Sequence, residues 1–410
     1  LEWGRLMSYL EQSTRYISYD SRFGGRYRYY RDPEIMESSF GARYIGDMDR
    51  IFDTYAHLVP QMQDFVREQF PKHPDDGDFV YRQAVKAKAF DALRGLLPAA
   101  SLSNVGIYGT GQAYEALLLR MRSHPLPESR YYADLMLREL RKVIPSFLER
   151  VDREDRGVVW SEYLQETRED TADVVAALFP EGSIVDPSPT VRLVDFDPEG
   201  EVKMIASMMY PHSTMSEDQL ERRVAGMNHE DRMAVARAYV GDRRNRRHKP
   251  GRALERPFYR FDVLVDYGAF RDLQRHRMLS MDWQNLSPHH GYISSPLVNA
   301  AGMGPVYEEA MERSAALYDL LVDDFPDQAS YAINLAYKIR FNMNINARSA
   351  MHLIELRTTP QGHPSYREVG QEMHRLIAEE AGHTVISEMM KFVDHTDETD
   401  LERLQSERRA

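Results

Sequence analysis

The sequence predicts an α+β chain, rich in helix and organised as two domains. Three observations carry this expectation. The 410 residues are 42% hydrophobic and 28% charged, enough apolar material for two cores of ordinary size. Two short runs alternate with the period of a half-buried strand. These are residues 190–196 and, more sharply, 258–266, where Tyr259, Phe261, Val263 and Val265 oppose Arg260, Asp262 and Asp266. Several longer stretches keep the 3.6-residue period of amphipathic helices.

In chain order, helices are expected over residues 38–70, 79–97, 111–122 and 128–151. The Gly/Pro/Ser-rich stretch 180–189 marks a boundary, dividing the chain into 1–180 and 187–393. One long helix is expected over 216–240, with Ser216 as its cap and Gln219 completing a capping box. Beyond Asp266 helices are expected to dominate up to 393, followed by a polar tail over 394–410. Two blocks recur in the same order. Arg5-Leu6-Met7-Ser8 matches Arg277-Met278-Leu279-Ser280, and residues 111–122 match 346–357, each closing on an apolar residue and Arg. Two matches in order indicate an internal duplication.

Composition narrows the function. The net charge of −12 argues against a general binder of nucleic acid or anionic membrane. No apolar run reaches the length of a membrane helix, no signal segment is expected, and a cytoplasmic location fits. With no cysteine in the sequence, disulfides, zinc–thiolate sites, iron–sulfur clusters and thiol nucleophiles are excluded. Arginine gathers in short clusters, which in an acidic chain suits a small anionic ligand.

Arg275-His276-Arg277 is the first such cluster. Two permanent cations flanking an imidazole suit a phosphate or pyrophosphate, though taken alone the triplet fits a solvated basic turn as well. Asn346-Ala347-Arg348-Ser349 opens a helix on which Arg348 and His352, four apart, share a face, and Arg357 stands at its end. A surface helix with satisfied charges would show the same pattern. Residues 243–248 form a basic run that suits a solvated loop and is also compatible with reinforcing a phosphate site, and Tyr27, Tyr29 and Tyr30 among Arg26, Arg28 and Arg31 suit either base stacking or local packing. His289-His290 lacks a carboxylate partner, so no metal site is expected. The glycines at 106, 109 and 111 do not form a dinucleotide fingerprint.

Taken together, these motifs resemble the flavin-dependent thymidylate synthases. That family's signature runs Arg-His-Arg, two residues, Ser, then a spacer and Ser-x-Arg. The second copy keeps Arg275, His276, Arg277 and Ser280 but has Asn285 and Ser287 where Ser-x-Arg belongs. The first copy keeps Ser8, Glu11, Ser13 and Arg15 but has Trp3-Gly4 where Arg-His belongs. The Asn-Ala-Arg-Ser helix ending in Leu356-Arg357 resembles a second family motif, and Lys249–Glu255 lies where the family carries a flavin-contacting turn. The resemblance implies two tandem thymidylate-synthase-complementing domains, each a sheet flanked by helices, the first lacking its N-terminal strands here. It implies FAD held by Arg275, His276, Arg277, Asn346, Arg348 and His352. It implies a dUMP-like nucleotide held by Glu11, Ser13, Arg15, Arg94, Arg122 and Arg357, with Arg122 and Arg357 catalytic.

The implied reaction is reductive methylation of dUMP to dTMP, with methylenetetrahydrofolate and NADPH as co-substrates. The implied assembly is a homodimer with four domains. A non-catalytic flavin or nucleotide binder, and a flavoenzyme with altered one-carbon chemistry, are compatible with the same residues, because each copy has lost half of the signature.

Overall fold

A computed structural model of the chain describes residues 2, 4–179, 189–396 and 401. The first half opens with β1 (Met7–Glu11). Then come α1 (Pro33–Glu37), α2 (Gly41–Gln69), α3 (Asp78–Leu93), β2 (Val105–Gly109), α4 (Gly111–Arg122), α5 (Pro127–Leu140), α6 (Pro145–Leu148) and α7 (Val159–Leu178). The second half contains β3 (Val191–Phe196), α8 (Gly200–Met209), α9 (Glu217–Ala225), α10 (His229–Val240), β4 (Phe258–Asp266), α11 (Tyr267–Leu273) and β5 (Leu279–Trp283). It continues through α12 (Pro296–Ala300), α13 (Gly304–Leu321), β6 (Lys338–Asn346), α14 (Ala347–Arg357), α15 (Pro364–Glu379) and α16 (Thr384–Met389). The expected α+β class is the observed one, with helix predominant.

The four strands of the second half form an antiparallel sheet in the order β3-β4-β6-β5. β4 and β6 pair along their full length, from Phe258 opposite Asn346 to Asp266 opposite Lys338. This register puts Tyr259, Phe261, Val263 and Val265 beside Ile345, Met343, Phe341 and Ile339 on one buried face. β1 and β2 make a separate two-stranded ribbon.

Two hydrophobic cores result. The larger joins α2 and α3 of the first half to the sheet and helices of the second. The smaller groups Met7, Leu117, Leu118, Leu119, Met121, Leu137, Leu148 and Val151 beneath the β1–β2 ribbon.

Several expectations are corrected. The helix expected over 216–240 is two helices, because Gly226 ends α9 and Asn228 caps α10 through Asp231 N. Ser216 and Gln219 do form the expected capping box. The helix expected over 128–151 stops at Leu140, and α6 is a single further turn. Helices do not run unbroken beyond Asp266, since β5 and β6 intervene. β6 carries a clear period of two, Ile339, Phe341, Met343 and Ile345, that was masked by its continuity with the helix beginning at Ala347. Residues 180–188 of the expected boundary, and 397–400 and 402–410 of the expected tail, lie outside the described residues.

Phe341 sits on the central strand, 1% exposed, with its ring 5.0 Å from that of Phe270. Phe341→Ala removes contacts on both sides of the sheet interface, and urea unfolding should show a loss of about 3–5 kcal/mol.

Candidate functional site

The site is built where two strand–helix units converge. β4 ends at Asp266, whose carboxylate Oδ1 accepts from Ala269 N at 2.9 Å and caps α11. β6 ends at Asn346, whose Oδ1 accepts from Ser349 N at 2.9 Å and caps α14. Because the strands are antiparallel, the two helices leave opposite ends of the sheet. Their 7 and 11 residues span about 10 and 16 Å over strands about 30 Å long. Their C-terminal ends therefore meet, and Arg357 Nε donates to His276 Nε2 at 2.9 Å.

Asp272, one turn before His276, is the hub of this junction. Its Oδ1 accepts from Arg275 Nη2 at 2.7 Å and Arg357 Nη1 at 3.2 Å, and its Oδ2 lies 3.5 Å from Arg94 Nη1. Its backbone carbonyl accepts from Arg357 Nη2. Burial works to raise the Asp272 carboxyl, but Arg94, Arg357 and Arg275 outweigh it and hold it below the usual carboxylate range. Arg94 comes from the first half, immediately after α3. It is 4% exposed, and its Nη2 has no hydrogen-bond partner among the described residues.

The first half contributes more. Arg15 Nε lies 2.7 Å from Asp91 Oδ1, Nη1 donates to Tyr366 Oη at 3.1 Å, and Nη2 donates to the Gln361 carbonyl at 3.1 Å. Ser13 Oγ accepts from Arg15 N at 3.2 Å and shapes that turn. Glu11 pairs with Arg271 and lies 3.3 Å from Arg275 Nη1. Glu11, Ser13, Arg15 and Arg94 of the first half thus share one polar cluster with Arg275, His276 and Arg357 of the second.

A second group lies beside it. Arg275, His276, Arg277, Arg348, His352 and Arg357 line a cavity of about 280 Å³, closed on its other side by Arg246, Lys249 and Pro250. Arg348 Nε donates to the Pro250 carbonyl and Nη1 to Glu255, both at 2.9 Å. The rings of His276 and His352 are 5.7 Å apart. Asn346 is buried, with its side-chain carbonyl oxygen engaged as a helix cap, and it is not among the residues lining this cavity. Arg277 is exposed beside Met278, whose φ of 64° lies in the left-handed region, at a cost of about 1–2 kcal/mol for a residue with a Cβ. That turn swings the chain from α11 into β5. An adjoining cavity of about 360 Å³ is lined by Arg5, Arg120, Arg275 and Ser280, and Arg5 Nη2 donates to Ser280 Oγ at 2.6 Å across the two repeated blocks.

Arg122 is the exception among the expected site residues. It pairs with Asp134 on α5, beside the smaller core, whereas Glu11, Arg15 and Arg94, which likewise line neither cavity that holds Arg275, join the Asp272 and Asp91 cluster through ion pairs. The first-half helix α4 is attached to the β1–β2 ribbon rather than to the junction, which separates Arg122 from Arg357. The tyrosines at 27 and 29 are not a stacking platform. Both are buried against Phe52, with ring centroids 5.1 and 5.5 Å away, and Arg22 and Arg31 cover them. Asp91, Asp272, Arg271, His363 and Tyr366 were not singled out from sequence. Asp91 stands three residues before Arg94, and Asp272 three before Arg275, a helical acid–base spacing that was available as a signal.

Burial, with Arg357 beside it, pushes His276 well below the usual imidazole value, and burial with Arg94 brings His363 down to about 4. His276 is therefore neutral, with Nε2 accepting from Arg357 and the proton on Nδ1. Below pH 6.5 these histidines stay unprotonated in the fold while their unfolded counterparts gain a proton. The unfolded state then binds more protons, so stability falls as pH drops from about 6.5 toward 4. Urea midpoints measured across that window should fall, and His363→Gln should flatten the slope by up to about 1.4 kcal/mol per pH unit.

The chain has close relatives. It is 39% identical over 402 residues to a UPF0159 protein of Chlamydia pneumoniae, covering 98% of this chain and 75% of that protein. It is 30% identical over 431 residues to one from Thermoplasma acidophilum, covering 98% and 83%. Among solved structures, a flavin dependent thymidylate synthase from Helicobacter pylori, complexed with FAD and dUMP, aligns at 19% identity. That alignment covers 48% of this chain and 97% of that one, with a TM-score of 0.35. A UMP/dUMP methylase from Streptomyces cacaoi, bound with 5-Br dUMP, aligns at 18% over 50% and 97%, with a TM-score of 0.38. The model of the thymidylate synthase complementing protein family matches residues 3–146 and 192–382. Matched over most of its length, in two segments that meet at the Asp272 junction, the chain belongs to the thymidylate synthase complementing protein family.

Proposed function

We propose that this protein binds FAD and a uracil nucleotide and carries out the reductive methylation of dUMP to dTMP, with methylenetetrahydrofolate as carbon donor and NADPH as reductant. One observation carries the reading. Arg357 joins His276, on the flavin side, to Asp272, Arg94 and Arg15, on the nucleotide side, so one composite centre draws half of its motif from each segment. The Helicobacter relative, which is complexed with FAD and dUMP, supplies the ligand pair. We take the matched segments, within 1–180 and 187–393, as two copies of one domain.

In this reading Arg275, Arg277, Arg348 and His352 hold the flavin around the 280 Å³ cavity, His276 completes the contacts, and Asn346 caps the helix that carries Arg348 and His352. The cavity fits such a cofactor through its donor set, since guanidiniums and neutral imidazoles converge there and among its lining residues there is no carboxylate. Bound there, the flavin supplies the hydride. Glu11, Ser13, Arg15 and Arg94 clamp the nucleotide. Arg94 Nη2, buried and unpartnered, is a donor waiting for a phosphate or carbonyl oxygen. Arg357, oriented by His276 and Asp272, polarises a uracil carbonyl and favours attack from C5 without a covalent enzyme adduct. Arg122 has no part in this centre. We further propose a homodimer. α7 leaves Trp160, Tyr163, Val175 and Leu178 exposed, an apolar surface that supports association.

A second reading, a binder without catalysis, is favoured by the carboxylates already seated among the arginines, Asp91, Asp272 and Glu11. Two measurements separate them. A flavin absorption spectrum before and after FAD addition tests cofactor binding, and tritium release from 5-tritiated dUMP tests chemistry. Loss of a charge-assisted contact is worth about 1.5–3 kcal/mol, or roughly 10- to 100-fold in affinity. Arg15→Ala should weaken dUMP by that factor and spare FAD, while Arg275→Ala should weaken FAD. Unchanged affinity for both ligands in both variants would overturn the composite centre.

A further inference from the structure

We propose that the buried Arg243–Glu355 pair is a positioning device that holds the basic loop 243–249 against the Arg275–Arg348 cavity, so that Arg246 and Lys249 face the pyrophosphate of the cofactor. The proposal rests on the flavin reading above; Arg243 and Arg246 lie outside the motifs that carry the family resemblance, whereas Glu355 stands on the Asn346–Arg357 helix and Lys249 opens the turn at 249–255.

Arg243 and Glu355 are the most deeply buried ion pair among the described residues in contact with this region, with side chains 3% and 0% exposed. The contact is bidentate, with Nη1 to Oε1 at 2.7 Å and Nη2 to Oε2 at 2.6 Å. The other donors of Arg243 reach backbone, with Nη1 also 3.2 Å from Met351 Sδ. Nε donates to the His248 carbonyl at 2.8 Å, Nη2 to the Arg246 carbonyl at 3.3 Å and Nη1 to the Met389 carbonyl at 3.4 Å. Glu355 Oε1 also faces Phe392 N at 3.4 Å, and the guanidinium lies 5.1 Å from the Phe392 ring centroid. All five guanidinium hydrogens are committed. One side chain thus ties three things together: the loop to itself, the loop to α14, and α14 to the turn after α16.

Stability does not explain this arrangement. Burying two charges costs about as much as their attraction returns, and apolar replacements of similar size are often neutral. The loop explains it better. Residues 243–249 carry five cations in seven positions, and like charges at that density repel and splay the chain. Arg244 and Arg247 are exposed, whereas half-buried Arg246 and exposed Lys249 line the cavity together with Arg275 and Arg348. With the carbonyls of residues 246 and 248 held by Arg243, Arg246 and Lys249 are kept at the cavity, while Arg244 and Arg247 do not line it. Arg243 also borders this cavity, but with every guanidinium hydrogen committed it serves as a positioning residue, acting through Arg246 and Lys249.

The test compares wild type, Arg243→Lys and the double variant Arg243→Met/Glu355→Leu. FAD and riboflavin, which lacks the pyrophosphate, are titrated into each cofactor-stripped protein. Thermal melting is recorded, and trypsin cleavage within 244–247 is timed. The double variant should melt within a few degrees of wild type, bind FAD at least 10-fold more weakly, bind riboflavin unchanged, and be cut at least 10-fold faster in the loop. Arg243→Lys keeps the charge but not the five-donor fork, so it should show the same FAD loss. FAD affinity and cleavage both equal to wild type would overturn the proposal. So would parallel losses of FAD and riboflavin, which mark a purely structural role. A wild-type chain that binds no flavin defeats the flavin reading itself, and the clip is then judged by cleavage, where equal rates reject it.

Discussion

The carboxylate of Asp272 is the contact on which the arrangement turns. Three guanidiniums from separate elements, Arg94, Arg275 and Arg357, approach within 3.5 Å of it. Without a central anion these cations would repel one another across a poorly solvated junction, and the ends of α11 and α14 could not close on the segment after α3. Asp91 does the same for Arg15 and is held down to about 2, since Arg15, His363 and Arg94 overcome the effect of its burial. The two halves are thus joined by more than apolar packing. They share a charge lattice in which each half supplies cations to the other's carboxylates.

On the proposed reading, that lattice bears on what kind of ligand the junction would accept. A fully compensated site resists a bare anion, because entry must displace a carboxylate or add to a balanced field. A ligand that combines an anionic group with carbonyl acceptors and an N–H donor meets the same site on better terms, since donors and acceptors are both on offer. The neighbouring cavity differs. No carboxylate lines it, and although Arg275 and Arg348 are paired behind it with Asp272 and Glu255, the addition of Arg277, Arg246 and Lys249 leaves an excess of cations suited, on the proposed reading, to a polyanion. Two chemically distinct seats, one balanced and one cationic, lie side by side and share Arg275, His276 and Arg357.

Much of this was legible in the sequence, and the limits have physical causes. Local pattern found β4, the capping box at Ser216 and the helix opening at Asn346, because caps and strand alternation are short-range. It failed at β6, where a strand runs straight into its helix and the period changes without a turn residue between. Arg122 differs for another reason. The repeat placed it in register with Arg357, but α4 packs in the smaller core, and tertiary attachment overrides correspondence along the chain. Arginines of the junction were found because a guanidinium in a motif is conspicuous. Their carboxylate partners were not, since pairs such as Arg15 with Asp91 are 76 residues apart and complementarity at that separation leaves no spacing to read. From sequence, Arg243 belongs to a run that suits a solvated loop or the reinforcement of a phosphate site, not a buried ion pair. Its neighbours are exposed, and nothing local reveals that Glu355 lies 112 residues away.

The opposed launch of α11 and α14 from β4 and β6 carries a consequence for how such a chain can change over time. The tips meet because two helix lengths together nearly fill one strand length. Adding or removing one residue in either helix would move its tip by about 1.5 Å and rotate it by about 100°. That slip would take Arg357 off His276, and no side-chain adjustment spans such a rotation. The two helices can exchange residues freely on their outer faces, but their lengths are bound to each other. Insertions are tolerated only in the connecting loops, where the spacing between the paired blocks indeed differs.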